Sequence, residues 1–192
     1  MKRRLNIFEL LGLGLVVLSV ALFLASRIYF NNAVKSAADT VSRIESLLPP
    51  ASAGFPDENT DPEMPALQVK GKDYVAILDF PAYGVTLPVA NEWSALGVYS
   101  SPCRFFGSIY DGTMIIGGSD QTGQLDFFQR MEPGDMVRVT DMMGAEFSCT
   151  VQRIDRATTA DYEKLASGGY PLTLFVRGSY SMEYILVRCS ME

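Results

Sequence analysis

The stretch PLTLFVRGS, residues 171–179, has the composition of a buried β-strand that ends abruptly. Apolar and β-favouring residues run from Leu172 to Val176, and a charge, Arg177, follows at once. A side chain at the tip of a buried strand stands where many folds hold a functional group. The neighbouring segments decide what kind of fold this strand belongs to, and what Arg177 does there.

Short apolar runs separated by turn signals fill the chain from residue 68 onward. They predict short helices at Gln124–Met131 and Thr159–Ser167, and a hairpin turn at Asp141–Gly144. The predicted strands are Tyr74–Phe80, Val85–Val89, Met114–Ile116, Met136–Thr140, Phe147–Ile154, Leu172–Val176 and Tyr184–Cys189. The pattern indicates a mainly β fold, a closed β-barrel of about seven to eight strands with one or two short helices.

The N-terminus, MKRRLNIFELLGLGLVVLSVALFLASRIYF, is basic and then apolar. It predicts a cytoplasmic tail at residues 1–6 and a transmembrane helix at 7–30, with the remainder outside the cell membrane. A cleaved signal peptide is the alternative. The uncleaved anchor is favoured because the candidate site at Ala25 and Ser26 lacks a small-x-small pattern and is followed by Arg27.

Residues 31–67 are predicted to connect this anchor to a folded domain at 68–192. A weak helical stripe in the first part ends at Pro49 and Pro50. Its members are Val34, Ala38, Val41, Ile44 and Leu48. The proline-rich and acidic remainder is typical of a semi-extended linker, which we expect to hold the domain off the membrane surface.

Composition excludes several classes of function. The formal net charge of −6 argues against nucleic-acid binding, which needs a basic face. There is no histidine, so no imidazole can act as base, acid or metal ligand. Cys103, Cys149 and Cys189 lie too far apart in the sequence for a CxxC metal site. No cofactor and no metal are expected.

Five segments resemble, in order and spacing, those of the sortases, membrane-anchored cysteine transpeptidases of Gram-positive cell walls. The resemblance covers about residues 72–190. The segments are YVAILDFPAYGVTLPV, SPCRFFGSIYDGTMIIGGSD, LDFFQRMEPGDMVRVTDMMGAEFSCTV, PLTLFVRGS and EYILVRC. The resemblance implies a sortase-like barrel preceded by an N-terminal transmembrane helix.

Sortases work through a cysteine at a strand end, a histidine that shuttles the proton and an arginine that stabilises the oxyanion. Carried over by position, the histidine corresponds to Ser119 and the cysteine to Arg177. The arginine corresponds to Tyr184, or to Glu183 if the alignment shifts by one. The resemblance therefore implies a degenerate member with no catalytic residues, a pseudoenzyme.

Other residues offer alternative chemistry. Cys103 or Ser119 as a nucleophile would make the protein an active cysteine transpeptidase or peptidase with non-standard residues. We expect instead a structural role or a disulfide for Cys103. For Cys149 and Cys189 we expect core positions, and for Ser119 beside Asp120 a role in a turn. Arg177 is expected either to bind an oxyanion or carboxylate or to pair with Glu183 or Asp120.

The leading hypothesis is an inactive sortase-like domain that binds a ligand at the cell wall. The expected binding residues are Arg177, Ser119, Asp120 and Tyr184. The partners that the resemblance implies are a sorting-signal peptide, a pilin-like or other surface protein, or an active sortase. A third hypothesis, a signalling ectodomain, is disfavoured because only Lys2–Asn6 would face the cytoplasm.

Overall fold

The computed structural model describes residues 7–50, 52–53, 63–178 and 183–191. The predicted cytoplasmic tail, most of the proline-rich linker and the connection before Glu183 lie outside the described residues. The helices are α1 (Ile7–Leu47) and α2 (Tyr162–Ala166). The strands are β1 (Ser52–Ala53), β2 (Leu67–Val69), β3 (Lys72–Phe80), β4 (Val85–Ala90), β5 (Cys103–Phe106), β6 (Met114–Ser119), β7 (Met136–Asp141), β8 (Ala145–Ala157), β9 (Leu172–Arg177) and β10 (Tyr184–Met191).

Eight of these strands close into a barrel. The order around it is β3, β4, β5, β6, β9, β10, β8 and β7, and β7 pairs with β3 to complete the circle. The pairs β4/β5 and β6/β9 are parallel, and the other barrel pairs are antiparallel. The strands β1 and β2 add to the edges of β8 and β3. Closure leaves few unpaired strand edges, and it confirms the predicted barrel.

The alternation of side chains in β9 shows how the core is built. Leu172, Leu174 and Val176 belong to the main core cluster inside the barrel. Phe175 belongs to a second cluster on the outer face, beneath α2. Because successive strand residues point to opposite faces, Arg177 lies on the same outer face as Phe175. The strand therefore presents Arg177 outside the barrel and not in its core.

The structure differs from the predicted elements in two places. The predicted helix Gln124–Met131 is wrong: the segment forms successive turns and a short 3₁₀ helix, Phe128–Arg130. The reason is that its apolar side chains cap one end of the core, with the Phe127 ring 4.9 Å from that of Phe80. Strand β5 was not predicted, because Pro102 and Gly107 on either side make its four residues resemble a loop.

Helix α1 is one continuous helix of 41 residues that contains both the predicted anchor and the juxtamembrane helix. Leu11–Ile28 is apolar and long enough to cross a membrane. Further along, Val41 and Ile44 are buried against the barrel in a cluster with Tyr74. The apolar stripe of α1 thus docks directly on the barrel before the linker begins. That the linker holds the domain off the membrane surface stays a prediction.

Candidate functional site

Three neighbouring strand ends bring the residues predicted from the sequence into one row. Ser119 at the end of β6 pairs with Arg177 at the end of β9. Arg177 in turn pairs with Tyr184 at the start of β10. Ladder partners on adjacent strands lie about 5 Å apart, so the three side chains share one small region of the surface. That these positions correspond to the catalytic positions of sortases stays a prediction.

This row lies in the floor of a groove of about 620 Å³, a size typical of small-molecule and peptide sites. The lining residues are Trp93, Ala95, Val98, Tyr99, Phe105, Gly118, Ser119, Asp120, Ala160, Phe175, Arg177, Gly178 and Tyr184. All four predicted binding residues are among them. Its lining combines apolar side chains with the polar groups at the strand ends.

An aromatic cluster forms the apolar wall of the groove. The Trp93 ring meets the Phe105 ring edge-on at 5.1 Å and lies 5.6 Å from that of Phe175. Gly117 makes this packing possible, since a Cβ built there would lie 2.3 Å from Trp93 Cζ3. Sequence reasoning did not assign these aromatic residues to the site. The signal that was available is the single tryptophan of the chain together with the bare Gly117-Gly118 pair.

The polar end of the groove combines a buried hydroxyl with an exposed cation. Ser119 is 5% exposed, and its Oγ accepts a hydrogen bond from the Gln121 amide at 3.3 Å, as expected of a turn residue. The side chain of Arg177 is exposed. Glu183 forms an ion pair with Arg156 at 3.6 Å. The predicted pairing of Arg177 with Glu183 or Asp120 stays a prediction.

The three cysteines are free and buried, and none of them lines the groove. The disulfide considered for Cys103 is therefore absent. Burial raises the pKa of the Cys103 thiol, which donates a hydrogen bond to the Ser101 carbonyl oxygen at 3.3 Å. Cys149 and Cys189 are core residues, as predicted, and burial also raises the pKa of Cys189. A buried thiol with a raised pKa is a poor nucleophile.

A buried arginine fixes the segment that covers the outer face next to the groove. Arg188 is 1% exposed, and its guanidinium donates hydrogen bonds to the Lys164 and Leu165 carbonyl oxygens at the end of α2. It also donates to Thr173 Oγ1 at 3.0 Å. Leu165 belongs to the same outer cluster as Phe175. Arg188 thus joins α2 to the strand that presents Arg177.

The described residues contain no group of three or more His, Cys, Asp or Glu side chains placed to hold a metal ion. The groove offers one guanidinium, one carboxylate, a hydroxyl, two phenols and an aromatic wall. These groups can bind an extended, partly apolar ligand and neutralise a negative charge on it.

A closed, mixed β-barrel with a groove across three strand ends and a preceding apolar helix defines a recognisable class of fold. Solved structures of sortases share the barrel fold. Sortase A from Corynebacterium diphtheriae matches with a TM-score of 0.55 and 16% identity, over 85% of this chain and 84% of that chain. A Clostridium perfringens sortase D5 transpeptidase matches with a TM-score of 0.53 and 17% identity, over 68% and 82% of the two chains.

Sortase C1 from Streptococcus agalactiae also matches, with a TM-score of 0.53 and 19% identity, over 61% of this chain and 66% of that chain. Comparison by sequence finds no matching family model and no matching curated protein. The chain has the sortase fold, and the predicted fold class is confirmed. At these identities the likeness extends to the fold alone.

Proposed function

We propose that this protein is a catalytically inactive sortase-like domain that binds a peptide segment in the groove. The observation that carries the proposal is the row Ser119–Arg177–Tyr184, which places a hydroxyl, a guanidinium and a phenol at three adjacent strand ends. These are the positions where the resemblance to sortases places histidine, cysteine and arginine. The barrel and the groove are kept, while the groups needed for thiol chemistry are not at these positions.

The chemical argument rests on what transpeptidation requires. Its covalent route needs a thiolate at the groove and a base that can move a proton near neutral pH. The sequence has no histidine, and all three thiols are buried and do not line the groove. Ser119 is buried and already accepts a hydrogen bond within its turn. Loss of a nucleophile and its base together removes most of the rate enhancement of such a site.

The ligand that fits this groove is a peptide segment bearing a carboxylate. Apolar side chains would pack along Trp93, Phe105 and Phe175, while the carboxylate would meet Arg177. A guanidinium presents paired N–H donors that match a carboxylate, and such charge-assisted hydrogen bonds are stronger than neutral ones. Tyr184 adds a hydroxyl beside Arg177. The carboxylate of Asp120 also lines the groove, and it would repel a negatively charged group of the ligand placed close to it.

We further propose that residues 1–6 are cytoplasmic, 7–30 span the cell membrane and 68–192 form the extracytoplasmic domain. Support comes from the basic residues ahead of the apolar span and from the continuity of α1. The partners would then be at the cell surface: a sorting-signal peptide, a pilin-like surface protein or an active sortase. Sortases act on surface proteins, and a groove of the same fold can retain the binding step without the chemistry.

The test is a binding titration of the full-length protein in nanodiscs, with sorting-signal peptides that carry a free carboxylate and with their amides. Because the single tryptophan lines the groove, its emission reports binding directly. We expect saturable binding of the carboxylates. The substitution Arg177→Gln should weaken it by roughly 10- to 100-fold, corresponding to a hydrogen bond to a charged group of about 1.5–3 kcal/mol.

Arg130→Gln is the matched control, since Arg130 is exposed and does not line the groove. This variant should bind as the parent does. Equal binding of carboxylates and amides, or an Arg177→Gln variant with unchanged affinity, would refute the assigned role of Arg177. Absence of saturable binding by every peptide would refute the groove as a peptide site.

A further inference from the structure

A loop beside the groove exposes apolar side chains to an unusual degree. Leu96 is 82% exposed, Tyr99 51% and Trp93 40%, all within the segment 91–102 that joins β4 to β5. We call this segment the Trp93 loop. Large apolar side chains gathered at one exposed place mark a site of interaction. Elsewhere on the described barrel, comparable side chains are fewer or pair with one another, as the rings of Phe106 and Tyr162 do at 4.6 Å.

Two successive contacts, made by Gln124 and Gly123, connect the Trp93 loop to helix α1. The Gln124 side-chain amide donates a hydrogen bond to the Tyr99 carbonyl oxygen at 2.8 Å. The adjacent Gly123 packs against Val34 of α1, so closely that a Cβ built on this glycine would lie 2.2 Å from Val34 Cγ2. The exposed loop and the helix that leads to the apolar span are thus two contacts apart.

The position of Val34 on α1 sets the distance of the loop from the membrane. The proposed membrane span ends at residue 30, just after the apolar stretch Leu11–Ile28, and Val34 follows four residues later in the same continuous helix. At 1.5 Å per residue this is about 6 Å. The headgroup layer on each side of the hydrocarbon core is roughly 5–8 Å thick. Gly123 and its neighbours therefore lie at the edge of that layer.

Packing of α1 on the barrel keeps this distance fixed. Ile44 is fully buried, and Val41 is buried beside it in the cluster that contains Tyr74. Lys70 forms an ion pair with Asp39 of the helix. A helix held over several turns cannot let the barrel swing away from the membrane without exposing this apolar cluster to water.

We propose that the Trp93 loop is a second membrane contact, which rests in the headgroup layer of the bilayer that α1 spans. The inference rests on the membrane anchor of the proposed function. Tryptophan and tyrosine are the residues that favour this layer, and Leu96 would reach the acyl chains. Lys72, whose Nζ lies 3.3 Å from Ser100 Oγ, is offset in charge by the exposed Glu92 of the loop, so the contact rests on the apolar and aromatic side chains.

This contact would couple the membrane to the groove. Trp93 and Tyr99 line the groove as well as belonging to the exposed loop. A loop held by lipid would keep the Trp93 ring against Phe105 and Phe175, so the groove would be preformed on the membrane. Ligand binding and lipid contact would then stabilise the same conformation.

The test uses the full-length protein in vesicles, with Trp93 as the probe because the chain has no other tryptophan. Its emission is compared between phosphatidylcholine vesicles containing phosphatidylglycerol and the same vesicles with lipids brominated near the glycerol end of the acyl chain. We expect the brominated lipids to quench Trp93. The variant Leu96→Glu should lose most of this quenching, because a carboxylate is repelled from the apolar layer.

The matched control is Met143→Glu. Met143 is 56% exposed, and the neighbouring Gly144 packs on Pro49, beyond the far end of α1. This variant should keep the quenching of the parent protein. Far-ultraviolet circular dichroism of each variant shows whether the barrel remains folded, and only folded variants are compared.

Retention of the protein in vesicles after carbonate washing distinguishes the loop contact from the anchor. Quenching that is lost in Leu96→Glu and kept in Met143→Glu supports the proposal. If the protein is retained by the vesicles but its Trp93 emission is not quenched, the loop contact is overturned and the anchor is left in place. Equal loss in both variants also overturns it. Extraction of the protein by carbonate would overturn the anchor, and the loop contact with it.

Discussion

Replacement of the buried Arg188 by methionine should destabilise the barrel strongly. Arg188 donates hydrogen bonds to the Lys164 and Leu165 carbonyl oxygens and to Thr173 Oγ1, and it lies 3.5 Å from Asp155 Oδ2. Methionine fills a similar volume but leaves these oxygens without their donor. Breaking one partner of a buried charged network typically costs about 3–5 kcal/mol.

The measurement is thermal unfolding of the detergent-solubilised protein, followed by near-ultraviolet circular dichroism. About 3–5 kcal/mol corresponds to a fall in Tm of roughly 6–20 °C for a chain of this size. Affinity for a groove ligand should fall as well, because Arg188 holds α2 and its Leu165 in the outer cluster with Phe175.

Arg153→Met is the matched control for Arg188→Met. Arg153 forms an ion pair with the same Asp155 at 2.5 Å, but its side chain is 68% exposed. Exposed pairs are worth at most about 1 kcal/mol, so this variant should unfold within a few degrees of the parent. If both variants lowered Tm by the same small amount, the structural role assigned to Arg188 would be refuted.

Three further predictions concern the groove wall, the alkaline limit of stability and the thiols. Gly117→Ala should displace Trp93, shift its emission to longer wavelength and cost about 1–3 kcal/mol in thermal unfolding; an unchanged emission spectrum would contradict the close packing. Burial, followed by the hydrogen bond to Asp135, raises the pKa of Tyr83 to about 12. Its phenol keeps its proton in the folded state at pH values where the unfolded chain loses it, so stability should fall as pH rises from about 10 to 12. In urea unfolding at several pH values, Tyr83→Phe should make that fall shallower, and an identical slope would contradict the assignment. The three buried cysteines should resist Ellman's reagent until the protein unfolds; rapid labelling of Cys103 in the folded state would reopen the alternative in which it is a nucleophile.

Local patterns in the sequence are sufficient to predict most of the strands of the barrel. The continuous run of apolar and β-favouring residues at Leu172–Val176 predicts β9. Once the strand is recognised, its period of two places Arg177 on the same face as Phe175. Strand β5 could not be predicted in this way, because four residues between Pro102 and Gly107 carry too little periodic signal. The local pattern of residues 124–131 predicts a helix, but the core that this segment caps imposes turns on it.

The candidate site likewise contains some residues that local sequence patterns predict and others that they do not. Ser119, Arg177 and Tyr184 were found because each is at the end of a recognisable strand, and pairing in the sheet brings strand ends together. The aromatic wall of Trp93 and Phe105 depends on loop packing over Gly117, which no local pattern encodes. The docking of α1 was missed for a related reason: its apolar stripe is weak, and only the barrel surface around Tyr74 gives the stripe a partner.

The central claim is that the groove binds a peptide and does not transform it. The most direct test is mass spectrometry of the full-length protein and the peptide after prolonged incubation at a concentration that saturates Trp93 emission. We expect an unchanged protein mass and an intact peptide, together with saturable binding. A covalent acyl adduct on the protein, or a cleaved or transferred peptide, would contradict it.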